Sequence, residues 1–278
     1  MNAVKISTGE IAYIERGTGP LVLLVHGFPL DHTMWDGQVE ALTERFRVIV
    51  PDLRGFGRSP LGIVDPDLGI TMEQYADDLV ELLDALTIGA DNQVVLAGFS
   101  MGGYIAWQFV QKHLRRLRAL VLCDARAADD TDEARAGRLK MAEKVAEWGA
   151  ARVAEMMGPK LIAPKTFESR PEVVAAVRRV VGRTAPAAIA AAQRGMARRP
   201  DMTAFLRQIT VPTLVLVGAD DAISPPAEMQ SIALAIPDAK FVVIPNAGHM
   251  TPMENPDAVN RAMIDFITHL PRLFSPSQ

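Results

Sequence analysis

The sequence predicts an α/β fold: a mostly parallel, eight-stranded sheet flanked by helices, with one helical cap inserted after the sixth strand. Three observations carry this expectation. Short apolar runs of strand length recur along the chain, and most alternate with helical patterns, the arrangement that crossover helices require. One of these runs leads directly into Gly98-Phe99-Ser100-Met101-Gly102, and a helical pattern opens behind it. Between residues 125 and 205 the alternation stops, for about eighty residues, far beyond an ordinary connection.

Strand patterns fall at 3–6 and 10–15, the second alternating as an edge hairpin would. Buried runs follow at 21–25, 47–50, 93–97, 117–122, 213–217 and 240–244. Thr71-Met72-Glu73-Gln74 reads as a capping box that opens a helix whose apolar face is Met72, Tyr75, Leu79, Leu82 and Leu86. Gly89 is expected to stop it. Asn255-Pro256 supplies an N-cap and a first-turn proline for a last helix with Val259, Met263, Phe266 and Leu270 toward the sheet. The tail from Pro271 onward is expected to fray.

The strand-free segment is charged and Ala-rich. A helical pattern over 131–157 carries Leu139, Ala142, Val145, Trp148 and Met156, and Pro159, Pro164, Pro171, Pro186 and Pro200 divide the rest into shorter helices. The chain therefore divides into a first core part (1–125), a helical cap (126–205) and a second core part (206–278). A basic run in the cap, Arg170, Arg178, Arg179, Arg183, Arg194, Arg198 and Arg199, reads as a solvated helix face ahead of an anion-selective entrance.

Composition narrows the function classes. The 278 residues are 49% hydrophobic and 22% charged, an ordinary globular balance for one domain with an insertion. A formal net charge of −4 gives no electrostatic case for nucleic acid. The single cysteine, Cys123, excludes an internal disulfide and favours a reducing compartment; its apolar strand makes it a packing residue. No signal-peptide pattern and no run of membrane-spanning length is found, so a cytoplasmic location without a membrane partner is expected, as monomer or homodimer. With no metal-ligand spacing, dinucleotide fingerprint or P-loop, no cofactor and no metal are implied.

The chemistry centres on Ser100. A serine at a sharp strand-to-helix turn is lifted clear of the sheet, and Gly98 and Gly102 stand where a Cβ would collide with the other arm of the turn. Its hydroxyl needs a base, and the base an orienting acid. Of five histidines, His249 follows a strand-like run on a loop, where open α/β sheets gather catalytic groups. His113 and His269 sit at helix ends as solvated structural residues, and His26 serves packing and loop geometry. Asp220 and Asp221 both follow the strand at 213–217, and Asp124 ends the strand before the insertion. Spacing from Gly218 favours Asp221 over Asp220, and Asp221 is preferred to Asp124 because a carboxylate at a strand end also serves as a simple helix or loop cap. The oxyanion formed in acyl transfer needs backbone donors; Met101 N–H, after the nucleophile, supplies one, and Phe28 N–H, after Gly27, supplies the other.

These segments, together with Asp52-Leu53-Arg54-Gly55-Phe56-Gly57-Arg58-Ser59, resemble the α/β-hydrolase superfamily over essentially the whole chain. Within it the chain is similar to small bacterial carboxylesterases, 3-oxoadipate enol-lactonase-like hydrolases and the perhydrolase or cofactor-free haloperoxidase group. The resemblance implies Ser100 as nucleophile, His249 as base, Asp221 as acid, and Phe28 and Met101 as oxyanion donors. Haloalkane dehalogenases and epoxide hydrolases carry aspartate at the elbow, where this chain has Ser100. Hydrolases of meta-cleavage products show Asn before the serine and Trp after the histidine; here Phe99 and Met250 stand there. The expected substrate is a small carboxylic ester or lactone, with Phe99, Trp148 and Met250 as pocket residues and Met156, Met157, Leu161 and Ile162 as either roof or packing. Perhydrolysis on the same triad, for which Pro29 near the oxyanion loop speaks, and a hydrolase-fold ligand sensor are the alternatives.

Overall fold

The structure, a computed structural model, describes residues 1–89 and 92–271. The expectation of a frayed tail falls almost wholly on 272–278, outside the described residues. Eight strands, β1 (Asn2–Ile6), β2 (Gly9–Arg16), β3 (Leu21–Val25), β4 (Arg47–Pro51), β5 (Val94–Phe99), β6 (Leu117–Cys123), β7 (Thr213–Gly218) and β8 (Lys240–Ile244), form one sheet in the order β1-β2-β4-β3-β5-β6-β7-β8. β1 and β2 form the expected hairpin, β2 runs antiparallel to β4, and all remaining pairs are parallel. Every residue of β3, β5 and β7 is buried, which is why these strands read as unbroken apolar runs and not as alternating ones.

Around the sheet lie α1 (Asp36–Leu42), α2 (Met72–Ala85), α3 (Met101–His113), α4 (Asp132–Leu161), α5 (Pro164–Ser169), α6 (Pro171–Arg183), α7 (Pro186–Ala197), α8 (Pro226–Ala235), α9 (Thr251–Glu254) and α10 (Pro256–Thr268). Helix α2 opens on the Thr71–Gln74 capping box, with both reciprocal bonds present. It ends earlier than expected, and Gly89 is not the cause. Thr87 takes the left-handed conformation (φ 57°), its N–H reaches Asp84 O, and Ile88 N–H reaches Leu83 O. That is the Schellman closure with threonine where glycine is usual. At α10, Asn255 accepts from Ala258 N–H and Pro256 occupies the first turn, while Val259, Met263, Phe266 and Ile267 are buried.

Helices α4 to α7 occupy the strand-free segment between β6 and β7. Prolines open α5, α6 and α7, but Pro159 lies within the last turns of α4. Gly149 (φ 75°) kinks α4 and breaks its helical phase, so Val153 and Ala154 are buried beyond it while Met156, like Leu139 before it, is exposed.

The arginine run does not form one solvated face. Arg178, Arg179 and Arg198 are exposed, but Arg199 is buried, pairs with Asp130 at 2.6 Å and lies 4.4 Å above the Tyr104 ring. Arg183 pairs with Asp31, and Arg170 donates to Glu254 O at 2.7 Å. These contacts fasten the helical segment to the loops beyond the carboxyl ends of the strands.

Candidate active site

The carboxyl ends of β3, β5, β6, β7 and β8 bring His26 to Phe28, Ser100, Asp124, Asp221 and His249 to one edge of the sheet. Ser100 sits between β5 and α3 with φ 49° and ψ −112°, a conformation that a non-glycine residue adopts only when its surroundings impose it. A Cβ on Gly98 would fall on the Gly102 carbonyl, so this glycine does separate the two arms of the turn. Gly102 answers to a different neighbour: its Cβ would strike the carbonyls of Val25 and His26 at the end of β3. The two glycines thus let α3 start close against both β5 and the loop after β3.

His249, on the β8–α9 loop, places Nε2 2.9 Å from Ser100 Oγ and Nδ1 2.8 Å from Asp221 Oδ2. Because a carboxylate only accepts, the Nδ1–H donates to Asp221, which leaves the Nε2 lone pair facing the serine hydroxyl. Asp221 Oδ1 accepts from Ile223 N–H (2.8 Å) and Ser224 N–H (3.0 Å), so the loop that carries the carboxylate also fixes it. Asp220 is exposed, its backbone N–H bound to Ala247 O. Of the three aspartates weighed for the acid position, only Asp221 contacts the imidazole.

Asp124 is nonetheless part of the cluster. It is fully buried with φ 52°, and its Oδ1 lies 2.9 Å from Gly218 N–H and 2.7 Å from the Thr251 hydroxyl. One carboxylate oxygen of Asp124, one of Asp221 and a ring nitrogen of His249 lie within 4.8 Å of one another. Two full negative charges at that separation repel by at least about 3 kcal/mol at an effective dielectric of 20. Burial above all, then the neighbouring Asp221, pushes the Asp124 carboxyl well above the usual carboxylate range.

Phe28 and Met101, whose N–H groups were expected to face a developing oxyanion, lie on the loop after β3 and at the start of α3. Met101 is the first residue of α3, and its N–H has no partner within the helix. Neither N–H has a hydrogen-bond acceptor among the described residues. His26 shapes the loop that carries Phe28: Nδ1 donates to Gly27 O at 2.9 Å and Nε2 accepts from Leu53 N–H at 3.0 Å. Burial holds its pKa below the ordinary histidine value, outweighing the pull of Asp52, so this ring is a neutral brace. Beyond it, Asp52 accepts from His32 Nδ1 (2.7 Å), His32 N–H and Arg58 N–H, while Asp31 takes Thr33 and Arg183. Asp31, His32 and Asp52 come close enough to suggest metal ligands, but internal donors already engage their oxygens.

Of the expected pocket residues, Phe99 and Met250 are fully buried. The Phe99 ring instead lies 5.1 Å from the imidazole of His249 and backs it. Trp148 is half-buried on α4 beside the Gly149 kink. A cleft of about 420 Å³ runs along the seam between α6 and the segments that follow Phe28 and His249, lined by Met34, Val180, Arg183, Pro252 and Met253 among others.

Glu254 had drawn no attention in the sequence. Buried at the end of α9, its Oε1 accepts from Gly248 N–H (3.0 Å) and Met250 N–H (3.1 Å) on either side of His249, and its Oε2 from Ala163 N–H (2.9 Å). Met250 N–H also reaches Leu161 O, whereas the other two amides rely on this carboxylate. Each buried amide left without an acceptor costs on the order of 1–3 kcal/mol. Glu254→Ala is therefore expected to lower unfolding stability by about 3 kcal/mol in urea titration, and Glu254→Gln by less. A loss below about 1 kcal/mol would show that the two amides find other acceptors.

The family model described as alpha/beta hydrolase fold matches residues 20–256. Among solved structures, a thermophilic esterase from Thermogutta terrifontis, with malate bound, is 47% identical with a TM-score of 0.91, covering 96% of this chain and 97% of its own. The enol-lactonase from Burkholderia xenovorans LB400 is 28% identical with a TM-score of 0.88, over 96% of this chain and all of its own (100%). Haloalkane dehalogenase 2 from Mycobacterium tuberculosis is 30% identical over 93% of this chain and 92% of its own. The chain belongs to the alpha/beta hydrolase fold family. Within that family it is a hydrolase, and its relatives include an esterase, an enol-lactonase and a haloalkane dehalogenase.

Proposed function

We propose that the protein is a serine hydrolase that cleaves small, short-chain carboxylic esters or lactones through an acyl-enzyme on Ser100. The observation that carries this reading is the unbroken relay from Ser100 Oγ through His249 to Asp221, with contacts of 2.9 and 2.8 Å, at a strained strand-to-helix turn. Serine at the elbow separates the chain from the dehalogenase-like relatives, whose resemblance implies aspartate there.

In this route Ser100 Oγ attacks the substrate carbonyl while His249 Nε2 takes the hydroxyl proton. Asp221 holds the imidazolium that forms, and the free N–H groups of Phe28 and Met101 receive the oxyanion. Collapse expels the alkoxide, which collects the proton from His249; in a lactone it stays tethered to the acyl group. Water then enters, gives a proton to His249 and attacks the acyl-enzyme. The acid product leaves and Ser100 regains its proton. The route draws on side chains, backbone and water alone.

Substrate size follows from the helical segment over the site. It carries few aromatics, and its arginine and threonine contacts to Asp31 and Pro29 seat it on the loop that follows Phe28. An acyl series on the purified protein is expected to peak between acetyl and hexanoyl. Each further methylene gains only about 1 kcal/mol before a closed site clashes with it. Lactones belong in the same panel, with hydrogen peroxide in a parallel set because Pro29 adjoins the oxyanion loop. A maximum at long chains with activation at an oil interface would contradict a roofed small site. Peroxide-dependent peracid formation exceeding hydrolysis would replace water by peroxide in the deacylation step.

A further inference from the structure

One carboxylate oxygen of Asp124 is buried without a hydrogen-bond partner among the described residues. Oδ1 has two donors in reach, the Gly218 N–H and the Thr251 hydroxyl, while Oδ2 is buried with no partner among the described residues. Buried carboxylate oxygens are rarely left empty. An oxygen of the Asp221 carboxylate, itself an acceptor, lies within 4.8 Å of an oxygen of Asp124, and a proton shared between the two carboxyl groups would give Oδ2 a partner. The proton is placed on Asp124 because both oxygens of Asp221 already accept, from His249 and from two backbone amides, whereas Oδ2 of Asp124 accepts from none.

We infer that Asp124 is a positioning residue that shares one proton with Asp221, its Oδ2–H donating to the Asp221 carboxylate behind His249. This deepens the proposed hydrolase reading and rests on it for the kinetic consequences, though not for the proton itself. The raised Asp124 pKa, caused by burial and then by Asp221, agrees with the hydrogen-bond count. The titratable groups around Asp124 are Asp221 on the β7–α8 loop, His249 on the β8–α9 loop and the buried Cys123 thiol preceding it on β6. Thr251 adds a neutral hydroxyl, 2.7 Å from Asp124 Oδ1 and 3.0 Å from Gly248 O.

The consequence is electrostatic. A neutral donor on Asp221 keeps the pair at one negative charge and tempers the basicity of Asp221 toward the imidazole. Without that donor the Asp221 carboxylate faces the imidazole with its full charge and holds the imidazolium more tightly. Asp124→Ala is thus expected to move the acid limb of the kcat/KM profile to higher pH, and, because Asp221 loses the partner that positions it behind His249, to lower kcat about tenfold. Asp124→Asn, whose amide can donate permanently toward Asp221, should recover most of the lost rate and return the limb toward its original position.

The test pairs these profiles with infrared spectra of the wild-type protein at neutral pH in H2O and D2O. A protonated-carboxyl carbonyl band that shifts on deuteration and disappears in Asp124→Asn is the expected result. Absence of such a band in the wild-type protein would overturn the proposal, and that readout needs neither a folded variant nor any enzymatic activity. Equal damage by Asp124→Asn and Asp124→Ala, or a lowered kcat in Asp124→Ala with an unmoved acid limb, would overturn it as well. Failure of the hydrolase reading would show separately, as absent ester turnover with the infrared band still present.

Discussion

Replacing Ser100 by alanine removes nearly all ester turnover. The expected fall in kcat is about 10⁶-fold, the scale seen when a nucleophilic serine is taken from a relay of this kind. The residue of activity, about 10³–10⁴ over water, comes from binding and from the donors at Phe28 and Met101. The fold should hold, because alanine meets the same backbone strain at φ 49° and Ser100 N–H keeps its bond to Cys123 O. Steady-state kinetics beside thermal unfolding checks both halves. Turnover within tenfold of wild type in a folded Ser100→Ala protein would remove the nucleophile assignment.

Asp221→Asn is expected to cost about 10⁴-fold in kcat, for a reason of orientation more than charge. An amide NH2 turned toward His249 Nδ1 would force the proton onto Nε2, which then points at Ser100 Oγ and cannot accept its proton. The two backbone amides that hold Asp221 Oδ1 would still find a carbonyl oxygen, so the loop should keep its shape. Asp220→Asn should cost little, since that side chain faces solvent. Should Asp124→Asn be the change that removes 10⁴-fold while Asp221→Asn is tolerated, the acid belongs to the end of β6.

The fold was legible because its signals are redundant. Buried parallel strands announce themselves as unbroken apolar runs, and proline openings mark α5, α6, α7 and α10 whatever the tertiary context. Local endings were less legible: Thr87, which closes α2, has no special propensity for the left-handed region, and only the packed turn places it there. In the site, Ser100 and His249 could be found because each stands in a motif with a fixed place on the sheet. The acid could not be chosen with the same force, since three carboxylates follow two adjacent strand ends and sequence does not say which way a side chain turns. The structure shows Asp220 outward, Asp221 on the imidazole and Asp124 behind it.

Supporting residues were hidden for a related reason. Glu254 acts on backbone amides, which carry no side-chain signature, and Ala163 lies 91 residues from it, whereas His26, expected to serve loop geometry, does so through Gly27 O and Leu53 N–H. Phe99 and Met250, expected as pocket residues, are fully buried beside Ser100 and His249. Adjacent residues on a strand face opposite sides, and the Phe99 side chain turns inward to back the histidine.

The central claim is that Ser100 is the one activated hydroxyl of this chain. Treatment with a fluorophosphonate, followed by peptide mapping and titration of residual esterase activity, tests it most directly. The expected result is one label per chain, on Ser100, with activity lost in proportion to labelling and no label taken up by Ser100→Ala. Labelling at another residue, or full activity after Ser100 is blocked, would contradict it.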